Sequence, residues 1–288
     1  MEPLTTGRRG AATILLVLYL LAAAAGIMAL KVATDRIPRS KVPGSSIIYL
    51  PSGKYLKYAT FGYSSLAADL IYLWSIQYYS NYEIADRFTY LERIFTIISE
   101  LDPRYTDPYE VGALIAVAEA QDPELALKIL DLGLAKNPEQ WVFPFEAGHI
   151  AQMTLKDFEQ AQKYYEKCLA IPGAPAFVRR LRANAMYKRG DLQTAWATWL
   201  EIYDTATDEE VRKVASNHLY QVKAAIDIED LTDAVKAFTA RFNRFPAALE
   251  DLLRTEIRSA LPKDLDGQDY VYDPATGAVK APTIPWKR

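Results

Sequence analysis

Cysteine, histidine and blocks of like charge are what this chain has least of. One cysteine, Cys168, stands among 288 residues, which excludes an internal disulfide and a cysteine-built zinc site. Two histidines, His149 and His218, are too few for a histidine-based metal or catalytic cluster. The net charge is −3 and no long basic run occurs, which argues against nucleic acid as a partner. No glycine-rich phosphate loop and no Gly-x-Ser-x-Gly elbow is present, so nucleotide and serine-hydrolase chemistry have no motif to rest on.

What is abundant is apolar residues, 50% of the chain, enough to build a large core. The longest uncharged run is Gly10 to Leu30, GAATILLVLYLLAAAAGIMAL, preceded by Arg8 and Arg9. Twenty-one residues suffice to cross a bilayer as a helix. A cleaved export signal, with its cut among the alanines at 22–25, is the competing reading. The run continues past those alanines through Ile27, Met28 and Leu30, which favours a retained signal anchor at residues 10–30. Either way the body is expected outside the cytoplasm. The opposing sign is the cluster Lys31, Arg36, Arg39 and Lys41 after the span. A long domain can translocate regardless of such flanking charge. The expected setting is a bacterial inner membrane crossed once, with the C-terminal body in the periplasm.

Beyond a nine-residue N-terminal tail and this span, residues 31–63 read as a linker, VPGSS at 42–46, and an irregular cap. From Ser64 onward the pattern is helical, punctuated by DPRYTDP, AQDP, NP, IPGAP, GD and TATD. A repeat runs through it. Leu91, Ala126, Ala161 and Ala195 are spaced by 35, 35 and 34 residues. Four positions later come Phe95, Leu130, Tyr165 and Trp199, and three further on Ile98, Gly133, Cys168 and Ile202. That i, i+4, i+7 spacing marks one helix face. Alternating small and large side chains let helices interlock. In YKRGDLQTAW, Gly190 ends one helix and Asp191 caps the next.

These residues resemble the tetratricopeptide repeat family over about residues 64–204. The resemblance rests on the Gly-Asp turn, Ala195, Trp199 and the 34-residue period, with Tyr109…Gly112 and Phe145…Gly148 as remnants of the first-helix signature. It implies a mostly α protein, a TPR-like α-solenoid spanning 64–226 with a capping helix at 206–226. It also implies a protein or peptide partner on the concave face, where Glu146, His149, Arg180, Asn184 and Tyr187 are the candidate contacts. The tail, 227–288, reads as a helix stopped before Pro246, a short second helix, and a β-hairpin around DPATG. FP…LEDLL…LPKDLDG…YVYDPATGAV resembles the C-terminal part of major pseudopilins of type II secretion. The chain has no pilin methylation motif before its span, so it is not itself a pilin.

Asp264, Asp266 and Asp269 around Gly267 offer hard oxygen ligands for calcium, but without the EF-hand spacing or its bidentate Glu an acidic turn in water is the better explanation; no other cofactor is expected. Nine of 19 tyrosines fall between Tyr49 and Tyr90, and LAADLIYLWSIQYYSNY is apolar most of the way round a helix. Such a helix must be covered, either by residues 47–63 as a cap or by a membrane or membrane partner. The resulting expectation is a membrane-anchored, exported scaffold for assembly of an envelope machine such as a type IV pilus, secretion system or transporter. An envelope enzyme whose repeats only present substrate is the alternative. An alkaline phosphatase fusion at the C-terminus should be active and sediment with membranes; an active cytoplasmic reporter at the same site would reverse this topology.

Overall fold

The structure is a computed structural model, and it describes residues 6–36, 50–84, 86–284 and 286. It divides into two units, residues 1–50 and 51–288. The described part of the first is one helix, α1 (Thr6–Asp35), in which Leu15–Thr34 is long and apolar enough to cross a membrane. The apolar side chains of that stretch are exposed. Helix α1 runs past the expected end of the span at Leu30 because Lys31 to Asp35 contains no breaker. The linker VPGSS lies outside the described residues.

Among the described residues the regular elements of the second unit are helices and one hairpin. Helices α2 (Gly53–Ala59), α3 (Ser64–Tyr79), α4 (Leu91–Leu101), α5 (Asp107–Ala118), α6 (Pro123–Lys136) and α7 (Val142–Ile150) follow in order. A π-helical turn (Ala151–Leu155) prolongs α7. Then come α8 (Phe158–Leu169), α9 (Val178–Arg189), α10 (Leu192–Thr205), α11 (Glu209–Phe242) and α12 (Glu250–Arg254). From α3 onward, each helix through α11 packs on its neighbour in sequence, and α5 also touches α7. Residues 53–59, expected to be irregular, form α2, which packs on α4. Gly53 permits this: a Cβ there would stand 2.6 Å from the Ile97 carbonyl oxygen.

The periodic columns are the core. Leu91, Ala126, Ala161 and Ala195 are completely buried, and so, nearly, are Phe95, Leu130, Tyr165 and Trp199. Three glycines bring backbones against rings. A Cβ on Gly112 would meet the Phe95 ring at 2.9 Å, on Gly133 the Tyr109 ring at 3.0 Å, and on Gly148 the Tyr165 ring at 2.7 Å.

The turn into the second helix is repeated as well in three pairs, α5–α6, α7–α8 and α9–α10, while α4 starts after Tyr90 with no side-chain cap. Asp191 accepts a hydrogen bond from the Thr194 amide (3.4 Å), Asp157 from Gln160 (2.9 Å) and Asp122 from Leu125 (3.0 Å). Each cap satisfies a first-turn amide that has no helical partner. The residue before each Asp is left-handed: Gly190 (φ 88°), Lys156 (φ 57°) and Gln121 (φ 55°). Only the first of these is a glycine, so only the Gly-Asp turn announces itself in the sequence.

Helix α11 corrects the expectation of a break between residues 226 and 231. It is one helix of 34 residues. IDIED contains neither Gly nor Pro, and Asp227 is paired with Lys223 one turn earlier. The N-terminal half of α11 joins the cluster of Ala183, Met186, Ala195 and Trp199 through Ala215, Leu219 and Val222. Its C-terminal half, through Leu231, Val235 and Phe238, covers Leu249, Leu252, Tyr270 and Val279 of the tail. The tail hairpin has the expected form: β1 (Val271–Asp273) pairs antiparallel with β2 (Ala278–Lys280), Tyr272 opposite Val279. Gly277 (φ 71°) and the Asp273 carboxylate, which accepts from the Ala275 amide and the Thr276 hydroxyl, close its turn.

Ala195→Trp should overpack the α9–α10–α11 contact and cost about 1–3 kcal/mol or more. Thermal unfolding reads this, and an unchanged melting temperature would contradict the packing.

Candidate functional site

Helices α7 and α9 carry the five candidate contact residues, and the structure sorts them into two places. Glu146 and His149, one turn apart on α7, line a groove of about 460 Å³ shared with α5. Its floor and walls include Leu114, Val117, Met153 and Glu110. Leu114 and Met153 are 64% and 53% exposed. His149 lies over the Phe145 ring, 6.3 Å between centroids and nearly parallel. Burial pushes the Glu110 carboxyl above its ordinary range, and the nearby carboxylates of Asp107 and Glu146 push the same way. The groove is therefore apolar within and acidic at its rim.

Arg180, Asn184 and Tyr187 lie on α9. The Asn184 side-chain oxygen accepts from Gln152 Nε2 at 3.1 Å, and Gln152 Oε1 accepts from the Tyr165 hydroxyl at 2.9 Å. Asn184 thus ties α9 to the π-helical turn and to α8. Tyr187 is half-buried against the cluster of Met186, Ala195 and Trp199, so part of its ring serves packing. Arg180 acts electrostatically on His218, which stacks on Trp199 with centroids 3.9 Å apart. Burial lowers the proton affinity of His218, a hydrogen bond to Gln221 opposes that, and Arg180 adds to it. Trp286 meets the His218 ring edge-on at 4.9 Å.

Leu114, Val117 and Met153 were not among the candidates. Their helical spacing reads in sequence as ordinary core, and only the tertiary structure leaves Leu114 and Met153 uncovered and Val117 half-buried. Cys168 is fully buried, and burial pushes its thiol up to about 11, so it stays protonated at neutral pH.

The calcium expectation meets a different geometry. Asp264 is buried, and its carboxylate accepts from the amides of Asp266 (2.9 Å) and Gln268 (2.7 Å) and from the Tyr220 hydroxyl (2.8 Å). Asp269 pairs with Lys263 at 3.4 Å. Among the described residues no three His, Cys, Asp or Glu side chains come together as a metal site. Asp264 shapes the turn and docks it on α11.

Comparison with protein-family models gives no match, and comparison with curated proteins gives none either.

The raised Glu110 carboxyl has a pH signature. A carboxyl that holds its proton more tightly when folded costs stability once ionised, and that cost vanishes when the pH falls below its unfolded value. Glu110→Gln should therefore raise the melting temperature at pH 7 and bring little gain near pH 4. An equal gain at both would contradict the electrostatic reading of the rim.

Proposed function

We propose that the chain is a membrane-anchored, exported scaffold that seats a protein or peptide partner on a TPR-like α-solenoid. Four features support the solenoid reading: helices packed on sequence neighbours, the small and large columns, the recurring Asp-capped turn, and the 34–35-residue period. The resemblance of residues 64–204 to tetratricopeptide repeats points the same way. In such a stack the first helices of the pairs, α5, α7 and α9, form one continuous concave surface.

The observation that carries a binding role is the groove between α5 and α7. Leu114 and Met153 stand exposed on two rigid helices, rimmed by Glu110, Glu146 and His149. Rigid apolar anchors cost little ordering entropy on binding. The acidic rim selects a partner segment with an apolar side chain beside a lysine or arginine. Catalysis has no comparable support: His149 is stacked on Phe145, and the one thiol is protonated in the core.

The anchor is α1, with the body in the periplasm of a bacterial cell. The tail's resemblance to pseudopilin C-terminal regions suggests the setting, assembly of a type IV pilus, secretion system or transporter. Leu114→Glu with Met153→Glu changes exposed positions only. Circular dichroism and melting should stay near wild type, while the protein captured by crosslinking in intact membranes is lost. Capture at the wild-type level would remove the groove as the seat.

A further inference from the structure

Helix α3 has two faces, and only one is used. Ala68, Tyr72, Ser75 and Tyr79 are buried, with Tyr79 stacked on Phe95 of α4 at 6.1 Å. On the opposite side Leu66, Leu70 and Leu73, at i, i+4 and i+7, are each more than half exposed. Residues 50–63 do not cover them, because α2 packs on α4. The segment between adds to the exposed apolar surface. Phe61 is 90% exposed, Tyr58 83% and Tyr63 71%. Phe61 and Gly62 are both left-handed (φ 48° and 95°), a tight turn that holds Phe61 and Tyr63 just ahead of α3. A large apolar patch of this kind on a folded surface marks an interaction site.

We propose that the α2–α3 face docks on the lipid bilayer, in the interfacial layer of the same membrane that α1 spans. Composition is the first reason. Tyrosine has an apolar ring and a polar tip and is enriched at the headgroup level, while leucine and phenylalanine enter the acyl boundary. Charge is the second: Lys54 and Lys57 on α2 are both exposed and suit anionic headgroups. Asp69, the acidic residue nearest the leucine stripe, stands on its flank and acts electrostatically on Tyr105.

Chain length is the third reason. Fifteen residues, 36–50, separate the end of α1 from the body. Even fully extended they reach only about 50 Å. A short tether of this kind raises the effective concentration of the patch at the membrane, so a weak intrinsic affinity suffices for docking. The proposal rests on the reading of α1 as an anchor.

The test uses the full chain reconstituted in phosphatidylcholine–phosphatidylglycerol vesicles. An environment-sensitive fluorophore is placed at Leu70→Cys, at Tyr58→Cys, or at Met153→Cys in the groove as reference. Cys168 is buried, and the wild-type chain gives the labelling background. Tyr58 is so exposed that its replacement leaves the fold intact if Leu70→Cys does not. Expected are blue-shifted emission and strong quenching by nitroxide lipids at positions 58 and 70, with neither at 153. Labels at 58 and 70 that answer only to a water-soluble quencher overturn the docking while leaving the anchor intact. Labels shielded from both quenchers also overturn it, because protein, here a second copy of the chain, then covers the face. A chain that fails to float with the vesicles overturns the anchor reading, and the docking with it.

Discussion

The body depends on how closely helix backbones approach aromatic rings. At Gly148 the Tyr165 ring occupies the space a Cβ would need, and Gly112 and Gly133 do the same for Phe95 and Tyr109. Each large ring is held against a position with no side chain, so neighbouring helices have essentially one register available. Close packing makes such contacts intolerant of an added methyl group. The groove follows from this constraint. Gly148 sits between Glu146 and His149, and the same tight α7–α8 contact that buries Tyr165 turns Glu146, His149 and Met153 toward α5.

Helix α11 carries that order into the tail. Its first half completes the Trp199 cluster and its second half covers the hairpin. Two buried polar links fix the junction. The Tyr270 hydroxyl donates to Asp227 at 2.7 Å, and the Tyr220 hydroxyl donates to Asp264 at 2.8 Å. Buried carboxylates are tolerable only when paired in this way. The tail is therefore built onto the spine of the helical stack, and Asp264, one of the acids that looked like metal ligands, does structural work there.

What the sequence made legible was whatever is written in residue type. Small–large columns at a helical period lie in the core, Gly190-Asp191 is a capped turn, and DPATG closes a hairpin. What it hid depends on context. Lys156-Asp157 makes the same turn as Gly190-Asp191, yet lysine does not advertise a left-handed backbone. IDIED looks polar enough to interrupt a helix, but Lys223 and Tyr270 hold Asp227 within one. Of the candidate contacts, Glu146 and His149 share the groove, whereas Asn184 and Tyr187 are partly engaged within the body. Leu114 and Met153 could not be told from core residues, because periodicity reports the face of a helix and not what covers it.

A double-mutant cycle on Gly148 and Tyr165 tests the interlock most directly. Gly148→Ala alone should destabilise the body by about 1–3 kcal/mol. In a Tyr165→Leu background, where the ring no longer fills that space, the same change should be nearly neutral, giving a coupling energy above about 0.5 kcal/mol. Additive effects, with Gly148→Ala costing the same in both backgrounds, would contradict the claim that ring-on-glycine contacts set the register of the stack.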